Sequence, residues 1–246
     1  MADHDLPRAI LIDLDDTILA AGERPVVLLQ IARELAADLH PHAPGEIAAR
    51  LEEALEAFWS DPARHKVARF GVTEARRQVM VETFQAVGSP VLTTDLAVRF
   101  AARLTTVREE ITTCFPGAVE GLEGWRALGI KLALITNGGA DTQRAKIERF
   151  ALAPYFDHIQ IEGEVGFGKP DVQAYRHAMA VLGSEPHETW MVGDNLEWEV
   201  AAPQRLGLRG VWCDGFGRGL PQGSPITPDR IIRSLADLLP GRAYRI

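Results

Sequence analysis

Acidic side chains follow a short apolar run near the start of the chain, in the stretch AILIDLDDTIL. Asp13, Asp15 and Asp16 stand there beside Thr17, although solubility does not require a cluster of negative charge at the end of a buried segment. Carboxylates can bind a hard cation such as Mg²⁺, attack an electrophile, or exchange a proton with a leaving group. Because Asp13 and Asp15 are two residues apart, an extended backbone would point both side chains to the same side.

Three further segments carry residues that could serve the same site. Thr136 lies in TNGG with Asn137 and Gly138, Lys169 lies in GFGKPD, and Asp194 lies in VGDN. Each segment alone has an ordinary explanation, since acids and glycines form turns and caps and most lysines are solvated. In an open parallel sheet, however, ligands bind beyond the carboxyl ends of the strands, where these residues are predicted to lie. Their combination therefore predicts an active site rather than unrelated turns.

The elements that must position these residues alternate between strand and helix from Phe115 onward. The apolar runs KLALIT, HIQI, TWMVGD and GVWCD alternate with segments of helical spacing. Together with the AILI run before Asp13, this order predicts a parallel sheet covered by helices on both faces. In the segment KPDVQAYRHAMAVLG, Pro170 is expected in the first helical turn and Gly183 at the helix end. The Gly- and Pro-rich DGFGRGLPQGSPITPDR is expected to be a surface loop before a short helix at residues 234–238.

Between the first acidic cluster and this region, the chain shows only helical spacing. Apolar residues recur every three or four positions, as in Val27, Ile31 and Leu35, and the Pro-containing stretches HPHAPG, SDPARH and VGSPVLT separate the segments. This pattern predicts a helical bundle. We therefore assign residues 1–20 and 111–246 to an α/β catalytic core with a doubly wound, Rossmann-like parallel sheet, and residues 21–110 to an inserted all-helical cap domain.

Composition and charge narrow the class of partner. The 246 residues include 34 acidic and 26 basic side chains, and the formal charge of -8 is unsuited to binding a nucleic acid polymer. Cys114 and Cys213 have no metal-type spacing, which indicates neither a disulfide framework nor a zinc site and suits a reducing cytoplasm. The start of the chain is charged where a secretory signal needs apolar residues, and no apolar run is long enough to cross a bilayer. We expect a cytoplasmic protein without a membrane partner, and the oligomeric state stays open.

The four reactive segments together resemble the motifs of the haloacid dehalogenase-like hydrolase superfamily. The motifs are matched in order by Asp13, Asp15 and Thr17, by Thr136, by Lys169, and by Gly193 with Asp194. The resemblance covers essentially the whole chain, and it implies that the helical insert is a cap of the superfamily's first cap class. This sequence departs from the family at Glu199, where a further Asp is common.

The chemistry of phosphate ester hydrolysis fits the acidic residues. A phosphate monoester is a dianion, so a carboxylate can attack it only when a cation offsets the repulsion, and we assign Asp13, Asp15 and Asp194 to Mg²⁺. Asp13 is then expected to be the nucleophile that forms an aspartyl-phosphate. Asp15 is expected to protonate the departing alcohol and then to accept a proton from the attacking water.

The remaining site residues are expected to bind the phosphoryl group. Thr136, with the backbone amides of Asn137 and Gly138 at a helix start, can hold the phosphoryl oxygens. Lys169 can neutralise charge on the transferring group and restrain Asp13. Thr136 and Lys169 therefore count as both catalytic and phosphate-binding residues.

The expected function is Mg²⁺-dependent hydrolysis of a small phosphorylated metabolite, and DLDDT resembles the nucleotidase and sugar-phosphate phosphatase branches. One alternative is a 2-haloacid dehalogenase-type hydrolase, although the resemblance implies that such enzymes lack an acid at the position of Asp15 and use no metal. The other is a binding protein that kept the scaffold without turnover, which Glu199 alone encourages. The Glu199 carboxylate could orient metal-bound water, or it could stabilise a helix by interacting with the positive N-terminal end of the helix dipole.

A phosphonatase is a further alternative. It would need a lysine in the cap, for which Lys66 is the candidate.

The sequence leaves substrate specificity open. Cap residues over the site would set it, and the candidates are equally compatible with ordinary surface or core positions. These candidates are Arg24, Trp59, Arg64 and Arg69.

Overall fold

The computed structural model describes residues 6–241, which divide into two compact units. The helical unit is Ala21–Thr112, and the core unit comprises the described residues up to Ala20 and from Thr113 onward. The boundaries expected from the sequence lie after residues 20 and 110, so the second differs by two residues from the boundary in the structure.

The helical unit consists of amphipathic helices that enclose their own apolar core. Its helices are α1 (Arg24–Glu34), α2 (Ala36–Leu39), α3 (Pro44–Ser60), α4 (Pro62–Ala68), α5 (Val72–Val87) and α6 (Thr94–Ile111). Leu28, Leu51 and Leu104 are fully buried in this core, and the rings of Phe84 and Phe100 meet edge to face at 6.4 Å between centroids. The helical spacing of this region is thereby confirmed, because the apolar stripe of each helix faces the shared core.

The core unit contains a six-stranded sheet in which every neighbouring pair of strands is parallel. The order is β5-β4-β1-β6-β7-β8, and two short strands, β2 and β3, pair antiparallel beside it. The strands are β1 (Ala9–Ile12), β2 (Leu19–Ala20), β3 (Thr113–Cys114), β4 (Lys131–Thr136), β5 (His158–Ile161), β6 (Thr189–Gly193), β7 (Arg209–Cys213) and β8 (Arg230–Ile232).

Helices cover both faces of this sheet. They are α7 (Ala118–Ala127), α8 (Ala140–Arg149), α9 (Glu162–Val165), α10 (Val172–Leu182) and α11 (Ala202–Gln204), with a π-helix at Leu196–Ala201 and short 3₁₀ turns at Ala153–Tyr155, Pro186–Glu188 and Leu235–Leu238. In β1, Ile10 and Ile12 belong to one apolar cluster, whereas Ala9 and Leu11 belong to another. Because both faces are buried, the strand is a continuous apolar run. The predicted α/β fold with a Rossmann-like parallel sheet is confirmed.

The strand order explains why distant segments of the chain meet. β1 lies between β4 and β6, with Ile12 in register with both Leu134 and Val192. After β1 the chain forms β4 and β5 on one side of this strand, and it then crosses to the other side to form β6, which creates a switch point at the carboxyl ends of these strands. The segments after β1, β4 and β6 therefore lie side by side.

Three local details differ from the sequence expectation. Pro170 lies before α10 rather than in its first turn, because Asp171 is the N-cap and accepts the N–H of Gln173 at 2.9 Å. Strand β8 was not predicted, since three residues are too few to show a period. The final expected helix is a 3₁₀ turn that Ser234 caps. Gly183 ends α10 in the left-handed conformation, as predicted.

Of the helices in the described part of the chain, none combines the length and the apolar character that a bilayer span requires.

Candidate active site

Asp13 begins the site directly after β1. Its backbone N–H donates to the carbonyl oxygen of Val192 at 3.0 Å, which extends the pairing with β6 by one residue. The residue is 7% exposed, and its Oδ2 accepts a hydrogen bond from Thr17 Oγ1 at 3.3 Å. Its Oδ1 contacts Lys169 Nζ at 2.5 Å. Burial raises the pKa of Asp13, and the attraction of Lys169 opposes that shift.

Lys169 is a buried cation between two carboxylates. It is 1% exposed and contacts Glu199 Oε1 at 2.7 Å in addition to Asp13. Burial lowers the pKa of Lys169, but the attraction of Asp13 and Glu199 outweighs burial and raises the pKa above its usual range. The ammonium group is therefore charged, and it holds one oxygen of Asp13 in place.

The backbone around Lys169 is fixed by Asn137. The Asn137 side chain donates from Nδ2 to the Lys169 carbonyl oxygen at 2.7 Å and accepts the Lys169 N–H at 2.8 Å. The neighbouring Gly168 is tightly enclosed, because a Cβ there would lie 2.6 Å from Asn137 Oδ1 and 2.5 Å from the Glu162 carboxylate carbon. Asn137 thus links the segment after β4 to the segment that carries Lys169.

Gly138 also contributes to this link. Its N–H donates to Glu162 Oε2 at 3.1 Å, and Glu162 is buried. The backbone amide predicted to bind phosphate is therefore engaged within the protein in this structure. The assignment of Asn137 and Gly138 to phosphate binding stays a prediction.

Thr136 and Asp15 are joined by a residue that the sequence reasoning missed. Thr136 ends β4 in a buried position, and its Oγ1 accepts a hydrogen bond from Gln143 Nε2. The same nitrogen donates to Asp15 Oδ2 at 2.9 Å. Lys146 Nζ contacts Asp15 Oδ1 at 2.7 Å and Oδ2 at 2.8 Å. Gln143 and Lys146 both lie on α8. The sequence signal for them was their spacing of three residues in the helix after TNGG, which puts both side chains on one face.

Asp194 follows β6 at the carboxyl end of the sheet. The residue is exposed, and its carbonyl oxygen accepts a hydrogen bond from Trp212 Nε1 at 2.7 Å. Burial raises the pKa of Asp194 well above its usual range, the carboxylates of Asp13, Glu199 and Asp16 raise it further, and Lys169 lowers it. Because the residue as a whole is exposed, we attribute more of this shift to repulsion among the carboxylates than to burial.

Glu199 lies inside the site. It is 1% exposed within the π-helix, and its Oε2 accepts the Asn195 N–H at 2.9 Å while its Oε1 contacts Lys169. Burial raises the pKa of Glu199, Lys169 lowers it and Asp13 raises it, with a net result of about 7.

Gly193 is required by the position of Glu199. A Cβ at Gly193 would overlap the Glu199 side chain, which explains the glycine before Asp194. The contact with Lys169 was not anticipated from the sequence, and a role for Glu199 toward metal-bound water stays a prediction.

The donor set at this end of the sheet fits Mg²⁺. Within residues 6–241, no cluster of three or more His, Cys, Asp or Glu side chains has the arrangement of a metal site. Mg²⁺, however, commonly takes only one or two carboxylates and fills its other positions with water and substrate phosphate. Asp13 and Asp194 could supply two such carboxylates, and their mutual repulsion is what a divalent cation would relieve. Their assignment to the metal stays a prediction. The carboxylate of Asp15 contacts Lys146 and Gln143 instead, so its assignment to the metal stays a prediction.

Comparisons with known proteins identify the family and several relatives of this chain. A family model described as haloacid dehalogenase-like hydrolase matches residues 7–207, a range that includes every site residue predicted from the sequence. Phosphoserine phosphatase of Thermus thermophilus is 32% identical, over 94% of this chain and 97% of the relative. N-acylneuraminate-9-phosphatase of Rattus norvegicus is 28% identical, over 94% of this chain and 92% of the relative.

A solved structure supports the fold. It is the HAD-hydrolase YfnB of Bacillus subtilis bound to magnesium, which is 21% identical and superposes with a TM-score of 0.72. The match covers 95% of this chain and 97% of that chain. At this identity the likeness shows the shared fold.

Proposed function

We propose that this chain, which belongs to the haloacid dehalogenase-like hydrolase family, is a Mg²⁺-dependent phosphatase that acts through an aspartyl-phosphate intermediate. It is a hydrolase of phosphate monoesters, as its phosphatase relatives are. Its substrate is a small phosphorylated metabolite of the nucleotide or sugar-phosphate type. The observation that carries the proposal is the buried ion pair between Asp13 and Lys169. Asp13 directly follows β1 and stands two residues before Asp15.

Asp13 is the nucleophile of the proposed reaction. Lys169 holds Oδ1 and Thr17 donates to Oδ2, so the carboxylate has a fixed orientation toward an incoming phosphorus atom. Asp13 and Asp194 would hold Mg²⁺, which when bound offsets the charge of the phosphate dianion. As the bond from Asp13 to phosphorus forms, the bond from phosphorus to the leaving oxygen breaks, and Lys169 stabilises the charge that is transferred.

Asp15 moves the proton in both halves of the reaction. In its protonated form it donates to the leaving oxygen, so the product departs as an alcohol. Its carboxylate then accepts a proton from the water that attacks the aspartyl-phosphate, which releases inorganic phosphate and restores Asp13. The Thr136 hydroxyl, buried at the end of β4, donates to a phosphoryl oxygen.

The presence of Asp15 favours this reaction over dehalogenation. Displacement of a halide from carbon produces an anion that needs no proton, so a dehalogenase has no use for an acid at this position. In this chain the Asp15 carboxylate is held by two side chains of α8, which is an arrangement that a mere turn residue would not need.

A panel of phosphorylated metabolites, assayed with Mg²⁺ and with a chelator, tests the proposal. We expect inorganic phosphate release from at least one nucleotide or sugar phosphate, dependent on Mg²⁺ and absent in Asp13→Asn. The same assay with a 2-haloacid distinguishes the dehalogenase alternative, which would release halide without the metal. Binding of a phosphorylated compound without any turnover would instead indicate a binding protein.

A further inference from the structure

Gln143 is a buried amide whose two hydrogens go to two different residues of the site. It lies in the first half of α8, and its Nε2 donates to Asp15 Oδ2 at 2.9 Å and to Thr136 Oγ1. A side-chain amide nitrogen carries two hydrogens, so both are used here. One side chain therefore connects the proposed acid/base to the proposed phosphate-binding hydroxyl.

The contact with Gln143 sets the role of the Thr136 hydroxyl. A hydroxyl has one hydrogen and two lone pairs, and accepting from Gln143 uses a lone pair. The hydrogen of Thr136 then points away from Gln143. Its acceptor in this structure is the Asn137 carbonyl oxygen at 3.5 Å, a long contact that a phosphoryl oxygen could replace. Because threonine is β-branched and buried here, its side chain has little freedom to adopt another orientation.

Lys146 holds the same Asp15 carboxylate from a second direction. Its ammonium group contacts both oxygens, at 2.7 and 2.8 Å, while Gln143 contacts one of them. Lys146 lies three residues after Gln143, so the two side chains leave α8 on the same face. About half of the Asp15 side chain is exposed, and without these contacts it could exchange between rotamers.

We propose that Gln143 and Lys146 are positioning residues for proton transfer in this enzyme. Together they fix the Asp15 carboxylate, and Gln143 also fixes Thr136 as a hydrogen-bond donor. This inference rests on the proposed phosphatase function. Displacement of a catalytic group by about 1 Å costs on the order of 100-fold in rate, so the loss of these contacts should be measurable.

The test compares Gln143→Leu with Gln160→Leu, which serves as a matched control. Gln160 is also buried in the core unit, but its side chain donates to the Ala174 carbonyl oxygen at 3.0 Å and contacts His177. For Gln143→Leu, we expect kcat on an alkyl phosphate to fall on the order of 100-fold, and kcat on p-nitrophenyl phosphate to fall about 10-fold or less. Inhibition by inorganic phosphate should also weaken, because Thr136 loses its orientation. Gln160→Leu should change neither the ratio of the two rates nor the inhibition.

Lys146→Met tests the second contact at a partly exposed position, where folding is not at risk. We expect the same selective loss on alkyl phosphates, unchanged inhibition by inorganic phosphate, and partial recovery in Lys146→Arg, whose guanidinium can also contact both oxygens. Equal losses on the two substrates in Gln143→Leu and Lys146→Met would overturn the inference. If Gln143→Leu does not fold, the Lys146 variants decide the matter for Asp15.

The outcome separates this inference from the function on which it rests. A parent enzyme that hydrolyses phosphate esters and loses this activity in Asp13→Asn, but shows no selective loss in the α8 variants, would overturn the positioning roles alone. A parent enzyme inactive on every phosphate ester in the presence of Mg²⁺ would overturn both.

Discussion

The two acids at the end of β1 have opposite environments although only one residue separates them. Asp13 is buried and contacts Lys169, which is itself 1% exposed and shared with Glu199. The side chain of Asp15 is 46% exposed, and that of its partner Lys146 is 32% exposed. The chain thus builds one buried and one partly solvated ion pair from two neighbouring carboxylates.

The difference corresponds to what each acid must do. A buried ion pair is costly to break, since the partner left behind is a charge without compensation in a poorly solvated place. Such a pair suits a nucleophile that must stay charged and fixed. A partly exposed pair is held more weakly, because water screens it. That pair suits an acid that must gain and lose a proton in every cycle.

Asp13→Asn should have the largest effect on activity. An amide is a poor nucleophile, so we expect a folded protein without measurable turnover on any phosphate ester. The fold should persist because Lys169 keeps its contact with Glu199. Phosphate release and circular dichroism check the two parts of this expectation. Substantial remaining turnover would exclude the covalent mechanism.

The contrast between the buried and the exposed pair can be tested on stability with two lysine variants. Lys169→Met leaves Asp13 and Glu199 close together without their cation, and we expect a loss of about 3–5 kcal/mol in the free energy of unfolding. Lys146→Met removes a partly exposed partner and should cost less than about 1 kcal/mol. Urea denaturation of both variants beside the parent measures the difference. Similar losses would mean that burial does not distinguish the two pairs.

Much of the fold could be predicted from the sequence because its signals are local. The residues of β1 are all apolar since both faces of the strand are covered, and that pattern alone indicates a central parallel strand. Asp13, Thr136 and Asp194 each follow or end a strand, so their common edge follows from the parallel order. By contrast, the three residues of β8 carry no period, and Asp171 is a stronger cap signal than the Pro170 beside it.

Contacts between distant side chains could not be predicted in the same way. Gln143 and Lys146 lie on a mostly polar helix, where such residues usually face solvent, and only the packing of α8 beside the end of β1 brings them to Asp15. The contact of Glu199 with Lys169 depends on the π-helix that turns Glu199 inward, and no sequence period predicts a π-helix.

Asp15→Asn sharpens the comparison on the side of the exposed pair. We expect kcat on alkyl phosphates to fall by about 100-fold to 10,000-fold, because an amide cannot donate the proton that a poor leaving group needs. The loss on p-nitrophenyl phosphate should be smaller, since nitrophenolate leaves without a proton. Parallel kinetics on one substrate of each kind provide the measurement. A uniform loss would assign Asp15 a different role, such as that of a metal ligand.

Glu199→Ala should have the smallest effect, and Asp194→Ala is its reference. Glu199 lies behind Lys169 and contacts the Asn195 backbone, so its removal should weaken the apparent affinity for Mg²⁺ on the order of 10-fold to 100-fold without abolishing the reaction. Asp194→Ala should reduce this affinity much further, because it removes a carboxylate that we assign to the metal. Activity measured against Mg²⁺ concentration for both variants and the parent gives the two shifts. A Glu199→Ala curve that overlays the curve of the parent would show that Glu199 contributes only its contacts with Lys169 and with the backbone of the π-helix. Asp13 would then be the one carboxylate beside Lys169 that the reaction requires.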